Sequence, residues 1–216
     1  MTINLVSQII AAAALVFSLA VFGWRLRIFN KMAVPSDRSV PRGDVRQGIL
    51  YAYTLGMAPW AKESTRRHWV SYLRGVAFHL GIFLGLAVLV VSPWIPSLPG
   101  WVQLSLAALT ALGAGFGLIG FAARFIDTNL KSLSTRDDLF AVLMVSLFLA
   151  VAAVWLLVPA MQPAFYFTAA VMLVYAPFSK IRHCIYFAYS RLFFGRFTGR
   201  RAVLPHSQQR ISSEAR

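Results

Sequence analysis

The sequence predicts an all-α membrane protein, a bundle of five transmembrane helices with its N-terminus outside and its C-terminus in the cytoplasm. Three observations carry this. Hydrophobic residues make up 58% of the 216 and charged residues 13%, where a soluble domain carries about a quarter charged. Five apolar stretches, at about 5–24, 75–92, 102–123, 139–158 and 164–181, have the length to cross a hydrocarbon core of about 30 Å. All 21 Lys and Arg fall on one side of this segmentation or at its interface, while the N-terminus and the turns at 92–101 and 159–163 hold no Lys, Arg, Asp or Glu. The positive-inside rule puts the charged side in the cytoplasm.

The net charge of +14 would suggest nucleic acid in a soluble chain. Here no basic module stands apart from the spans, so the charge is expected to meet anionic lipid headgroups and not nucleic acid. The one cysteine, Cys184, excludes an intrachain disulfide, a Cys-rich zinc site and a protein-ligated iron–sulfur cluster.

The first apolar segment, Leu5 to Gly23, is followed and not preceded by charge (Arg25, Arg27), so it reads as a retained span and not a secretory signal. A basic connection follows from Lys31 to about Arg74. Its part Val34–Asp44 is turn-rich, and Val45–Trp60 is expected to lie along the membrane surface or to dock a soluble partner. Arg74 can snorkel to the headgroups, after which Gly75–Ser92 is apolar except for His79. Pro93–Trp101 is a proline-broken turn with two interfacial tryptophans.

The third span contains Gly115-Phe116-Gly117-Leu118-Ile119-Gly120, a formal match to the dinucleotide-binding fingerprint. That motif needs a preceding strand, which an apolar span does not offer. The glycines are expected to let helices, or a helix and a flat ring, approach closely. A polar loop, Arg124–Asp138, leads to span four, and span five is expected to kink at Pro177. The organisation is one five-helix domain over 1–195 and a basic tail over 196–216.

His79 is the only ionisable side chain well inside an apolar segment, which marks a functional position. His183 closes span five. Spans two and five run antiparallel, so both imidazoles fall in the cytoplasmic half of the bilayer. Two neutral imidazoles at similar depth suit the axial positions of one b-type haem, with His79 and His183 as the iron ligands. Arg74, Lys180 and Arg182 are placed to pair with its propionates. The other reading is that His79 hydrogen-bonds a neighbouring helix and His183 sits in the interface.

Phe78-His79-Leu80-Gly81-Ile82-Phe83 and Pro177-Phe178-Ser179-Lys180-Ile181-Arg182-His183 resemble the haem-ligating helices of the respiratory nitrate reductase gamma subunit family. That family includes cytochrome b subunits of heterodisulfide-reductase-like and sulfite-reductase-linked membrane complexes. The glycine-rich third span and Arg136-Asp137-Asp138 fit more loosely, and the resemblance reaches to about Gly195. It implies a multi-pass subunit of a bacterial or archaeal cytoplasmic membrane. Such a subunit passes electrons between membrane quinone and a cytoplasmic iron–sulfur or flavin partner, and is not a stand-alone enzyme with catalytic residues of its own. One departure matters. The family's second pair of ligands would fall near Leu89 and Phe165, neither of which ligates iron, so one haem is implied. His68 has only His206, in the tail, left as a partner and reads as an interfacial or partner-contacting residue. The competing class is a non-redox membrane scaffold or assembly subunit. A transporter finds no internal repeat and no acidic residue within a span to support it.

Overall fold

A computed structural model describes residues 2–32, 38–61 and 63–203. Residues 33–37 of the turn-rich connection and the tail from 204, with His206, lie outside the described residues. In chain order the helices are α1 (Ile3–Lys31), α2 (Val45–Tyr53), α3 (Glu63–Arg67), α4 (Trp69–Val91), α5 (Gly100–Ile126), α6 (Thr128–Leu133), α7 (Arg136–Leu157), α8 (Gln162–Tyr175) and α9 (His183–Arg200), joined in several places by 3-10 turns. No strand occurs among the described residues. Five helical segments, built on α1, α4, α5, α7 and α8, are long and apolar enough to cross a membrane. The described residues are all-α.

The chain divides into two compact units, Met1–Arg25 with Val70–Arg182, and Leu26–Trp69 with His183–Arg216. In the first, α4 and α5 pack antiparallel through small residues. A Cβ on Gly81 would sit 2.7 Å from Gly113 Cα, and one on Gly117 would sit 2.5 Å from the Phe78 ring. Stepping along α4 through 74, 78 and 81 therefore means stepping back along α5 through 120, 117 and 113. Such contact between backbones is what holds helices together in lipid, where apolar side chains gain nothing by leaving one hydrocarbon for another. Of the three glycines in the expected motif, Gly117 allows close approach, Gly120 has only arginine side chains at 3.7 Å from a Cβ position and Gly115 has nothing within 4 Å; Gly113, outside the motif, makes the closest backbone contact.

Against this pair, α7 and α8 bury an aromatic stack. Phe165 lies parallel to Trp155 at 4.4 Å between ring centroids and near Phe148 at 5.9 Å. At the far end the Tyr166 hydroxyl donates to Ser92 Oγ at 2.8 Å, tying the start of α8 to the end of α4. An interhelical bond of this kind in a membrane contributes roughly 0.6 kcal/mol. On α1, Ser7, Ala11, Ala14 and Ser18 are buried, a stripe of small residues at helical spacing.

The fifth span is assembled differently from the expected single kinked helix. With 14 residues, α8 is only about 21 Å long. The 3-10 turns at Pro159–Met161 and Ala176–Phe178 extend it, to about 33 Å at roughly 2 Å per residue. Pro177 has no N–H to continue the α-helical ladder, so the helix ends at Tyr175 instead of bending. A third 3-10 turn, Lys180–Arg182, follows the extended Ser179.

In the second unit, α2 and α9 pack antiparallel. A Cβ on Gly48 would meet Gly199 Cα at 2.5 Å, and one on Gly195 would meet Ile49 Cα at the same distance. The pair is closed at one end by Arg42 N–H on Arg200 O at 2.8 Å and the Arg200 guanidinium on Ser39 O, and at the other by the Tyr53 hydroxyl on Ala188 O. The last turns of α1 add Phe29, edge-on to Tyr189 at 4.8 Å. The surface stretch expected over Val45–Trp60 is thus α2 and two 3-10 turns. Helix α9 runs unbroken past 195, where the sequence reading begins the tail. Of the 21 Lys and Arg, eight lie in 26–69 and six in 183–216.

Candidate functional site

The charged end of the first unit holds Arg74, Lys180 and Arg182. It is formed by the end of α1, the start of α4, the end of α5, the start of α7 and the exit of α8. Every Lys and Arg of this unit lies in or beyond these ends.

His79 lies in the third turn of α4. Its Nδ1–H donates to Gly75 O at 2.7 Å. A carbonyl only accepts, so this bond fixes the tautomer, and in the neutral ring the lone pair belongs to Nε2. The face of α4 turned to α5 carries Phe78 and Gly81, Gly85 meets Leu149 and Phe148 of α7, and His79 falls about 100° round the helix from Phe78. His79 is consequently exposed in the isolated chain, in a stripe with Val76, Leu80 and Phe83. Its place well inside an apolar segment does not say which face of the helix it occupies. The small-residue face, not the histidine, is what α4 turns inward.

His183 begins α9, is exposed, and belongs to the second unit. Cys184 beside it is exposed, yet local desolvation pushes its thiol above the ordinary cysteine range.

The exit of span five is clasped by the first turn of α7. Thr135 and Asp138 form a capping box, and Asp138 Oδ1 also takes the Lys180 ammonium at 3.0 Å. Asp137 accepts both the Tyr175 hydroxyl and the Lys180 backbone N–H, the latter at 2.8 Å. The Ser179 hydroxyl, buried, accepts from Ile181 N–H. Lys180 and Arg182, expected at the propionates, therefore sit on a 3-10 turn with a defined backbone. Lys180 holds Asp138 and Arg182 is exposed. The Arg25 guanidinium lies 5.9 Å from the Phe178 ring centroid at this same exit, a cation–π distance.

Arg74 is met by a residue the sequence reading leaves in a loop. Arg124, in the last turn of α5, donates from Nη1 to Gly120 O at 2.6 Å. Arg74 Nε and Arg124 Nη1 each lie 3.7 Å from the point where a Cβ on Gly120 would sit, so the two nitrogens are at most twice that distance apart. Among the described residues Arg74 has no hydrogen-bond or ion-pair partner. Two like charges this close repel by on the order of 1–2 kcal/mol at an interfacial dielectric.

Leu89 and Phe165, where the family pattern would place a second pair of ligands, are both buried in the core. Among the described residues no three or more His, Cys, Asp or Glu gather as a metal site, though two axial imidazoles require no such cluster. No protein-family model, curated protein or solved structure matches the chain.

Proposed function

We propose that this protein is the membrane-anchoring cytochrome b subunit of a quinone-linked oxidoreductase in a bacterial or archaeal cytoplasmic membrane, resembling the nitrate reductase gamma subunit family. It would carry one b-type haem between His79 and His183. Its N-terminus lies outside, and electrons pass between membrane quinone and a cytoplasmic iron–sulfur or flavin subunit.

The observation that carries this is the hydrogen bond from His79 Nδ1 to Gly75 O within a membrane-length helix. It orients the ring and places the lone pair on Nε2, the form in which a histidine ligates a metal while its other nitrogen is held by a carbonyl. The packed aromatic core around Phe165 supports a complement of one. Arg74, Lys180 and Arg182 are the cations assigned to the propionates, and the hold of Asp137 on the Lys180 backbone fixes the turn that carries the last two. Bound here, a haem supplies reversible one-electron chemistry; the chain ligates it, orients it and keeps water from it.

A reduced-minus-oxidised visible spectrum of the purified protein, with haem counted against protein, tests the reading. One low-spin b-type haem per chain, lost in both His79→Ala and His183→Ala, is expected. A well-folded preparation without haem would overturn it. That result would leave a non-redox membrane scaffold, the reading favoured by the exposure of both histidines in the isolated chain.

A further inference from the structure

We infer that Arg74 and Arg124 form a binding site for the phosphate of an anionic lipid, with Gly120 as its floor. Interfacial arginines ordinarily splay outward to separate headgroups. These two converge instead. Each reaches to within 3.7 Å of the same missing Cβ, so a single oxyanion above Gly120 can meet both guanidiniums, and the absence of a side chain there leaves it room. Arg124 is pinned by its bond to Gly120 O, which presets one arm of the site. Arg74, without a partner among the described residues, supplies the other. No carboxylate among the described residues pairs with either. An anion is therefore the group that turns their mutual repulsion into attraction.

Position selects the source of that anion. Arg74 lies in the second turn of α4 and Arg124 in the last turn of α5, so on these antiparallel spans the site falls at the level where the apolar segments end. That is headgroup depth, where a lipid phosphate is tethered and abundant. The assignment does not rest on the haem reading.

The test is native mass spectrometry of the detergent-purified full chain, loaded from micelles containing equal phosphatidylglycerol and phosphatidylcholine. Wild type is expected to retain phosphatidylglycerol in preference. Arg74→Gln and Arg124→Gln should each cut that preference about tenfold, with Arg124→Lys intermediate because it keeps the charge but loses the fork. Arg136→Gln, an exposed arginine at the same end, should leave it unchanged and controls for general charge. Each variant is also made in the His79→Ala background, where the same differences should persist. Equal preference in wild type and both glutamine variants would overturn the site. Differences that vanish in the His79→Ala background would assign the anion to a haem propionate and overturn the lipid. A wild-type protein without haem leaves this measurement intact, so failure of the functional reading and failure of the lipid site are told apart.

Discussion

Replacing Gly113 and Gly115 by alanine, one at a time, separates a packing motif from a nucleotide motif within three residues. A Cβ on Gly113 would lie 2.8 Å from Gly81 Cα and 3.3 Å from Leu149 Cδ1. Carbon atoms in contact sit at about 3.5–4.0 Å, so α4 and α5 must part by about 1 Å. Overpacking of this kind costs about 1–3 kcal/mol. Alanine also favours the helix by about 1 kcal/mol over glycine. That gain applies equally at Gly115, where nothing lies within 4 Å, so it cancels in the comparison of the two variants. For a domain of this size, 1 kcal/mol moves Tm by about 2–4 °C. Gly113→Ala should therefore melt about 2–12 °C below Gly115→Ala, read by size-exclusion survival after heating in detergent. Gly115→Ala should equal or exceed wild type. Equal melting of the two variants would refute the glycine-mediated contact, and a Gly115→Ala variant less stable than Gly113→Ala would reverse it.

Asp137→Ala removes the acceptor of both the Tyr175 hydroxyl and the Lys180 N–H and should cost about 2–4 kcal/mol at charge-assisted bonds. Lys180→Met breaks a half-exposed ion pair with Asp138 and should cost under about 1 kcal/mol; thermal melts of the pair check the order. Cys184 should be alkylated by iodoacetamide more slowly than a free cysteine at pH 7–8, because a raised thiol pKa lowers the thiolate fraction there. Its rate should go on rising with pH after that of the free thiol has levelled off, and identical profiles would contradict the local desolvation. Gly195→Leu drives a side chain into the Ile49 backbone. It should release α2 from α9, giving faster amide exchange over Val45–Tyr53 with the five spans still protected, and unchanged exchange would discount the close packing of these helices.

Number and order of spans were legible because they depend on sums over some twenty residues, and single misplacements do not alter a sum. Faces are another matter. Nearly every position of α4 is apolar, so hydropathy does not say which side turns inward, and His79 stands out only by chemistry. The signal that decides the face was present as Gly81 and Gly85 on one span and Gly113 and Gly117 on the next, small residues four apart; Gly81 meets Gly113, and Gly85 meets α7. Read that way, Phe78 and Gly81 go to the interface and His79 goes outside. The ending of span five was half legible. Pro177 announces a break, but a helix of 14 residues made long enough by 3-10 turns at each end depends on partners elsewhere, chiefly Asp137.

The same reasoning explains why Arg74 was singled out and Arg124 was not. In sequence, Arg74 interrupts the approach to an apolar segment, whereas Arg124 opens a polar loop and looks like one more cytoplasmic charge. Their relation arises only when two spans pack antiparallel at the register that Gly81 and Gly113 impose. Moving one residue along α5 from Gly120 turns the side-chain direction by about 100°, enough to carry Arg124 from the Arg74 side towards lipid. Charge location was set by composition, but charge convergence was set by glycine register. A variant that shifts that register, such as Gly113→Ala, should therefore weaken phosphatidylglycerol retention as well as stability, although residue 113 lies about two turns from either guanidinium. Arg136→Gln, which leaves the helix contact alone, should do neither. A Gly113→Ala protein that loses stability yet keeps its full lipid preference would show that the two arginines find each other by side-chain flexibility, without help from the backbone packing beneath them.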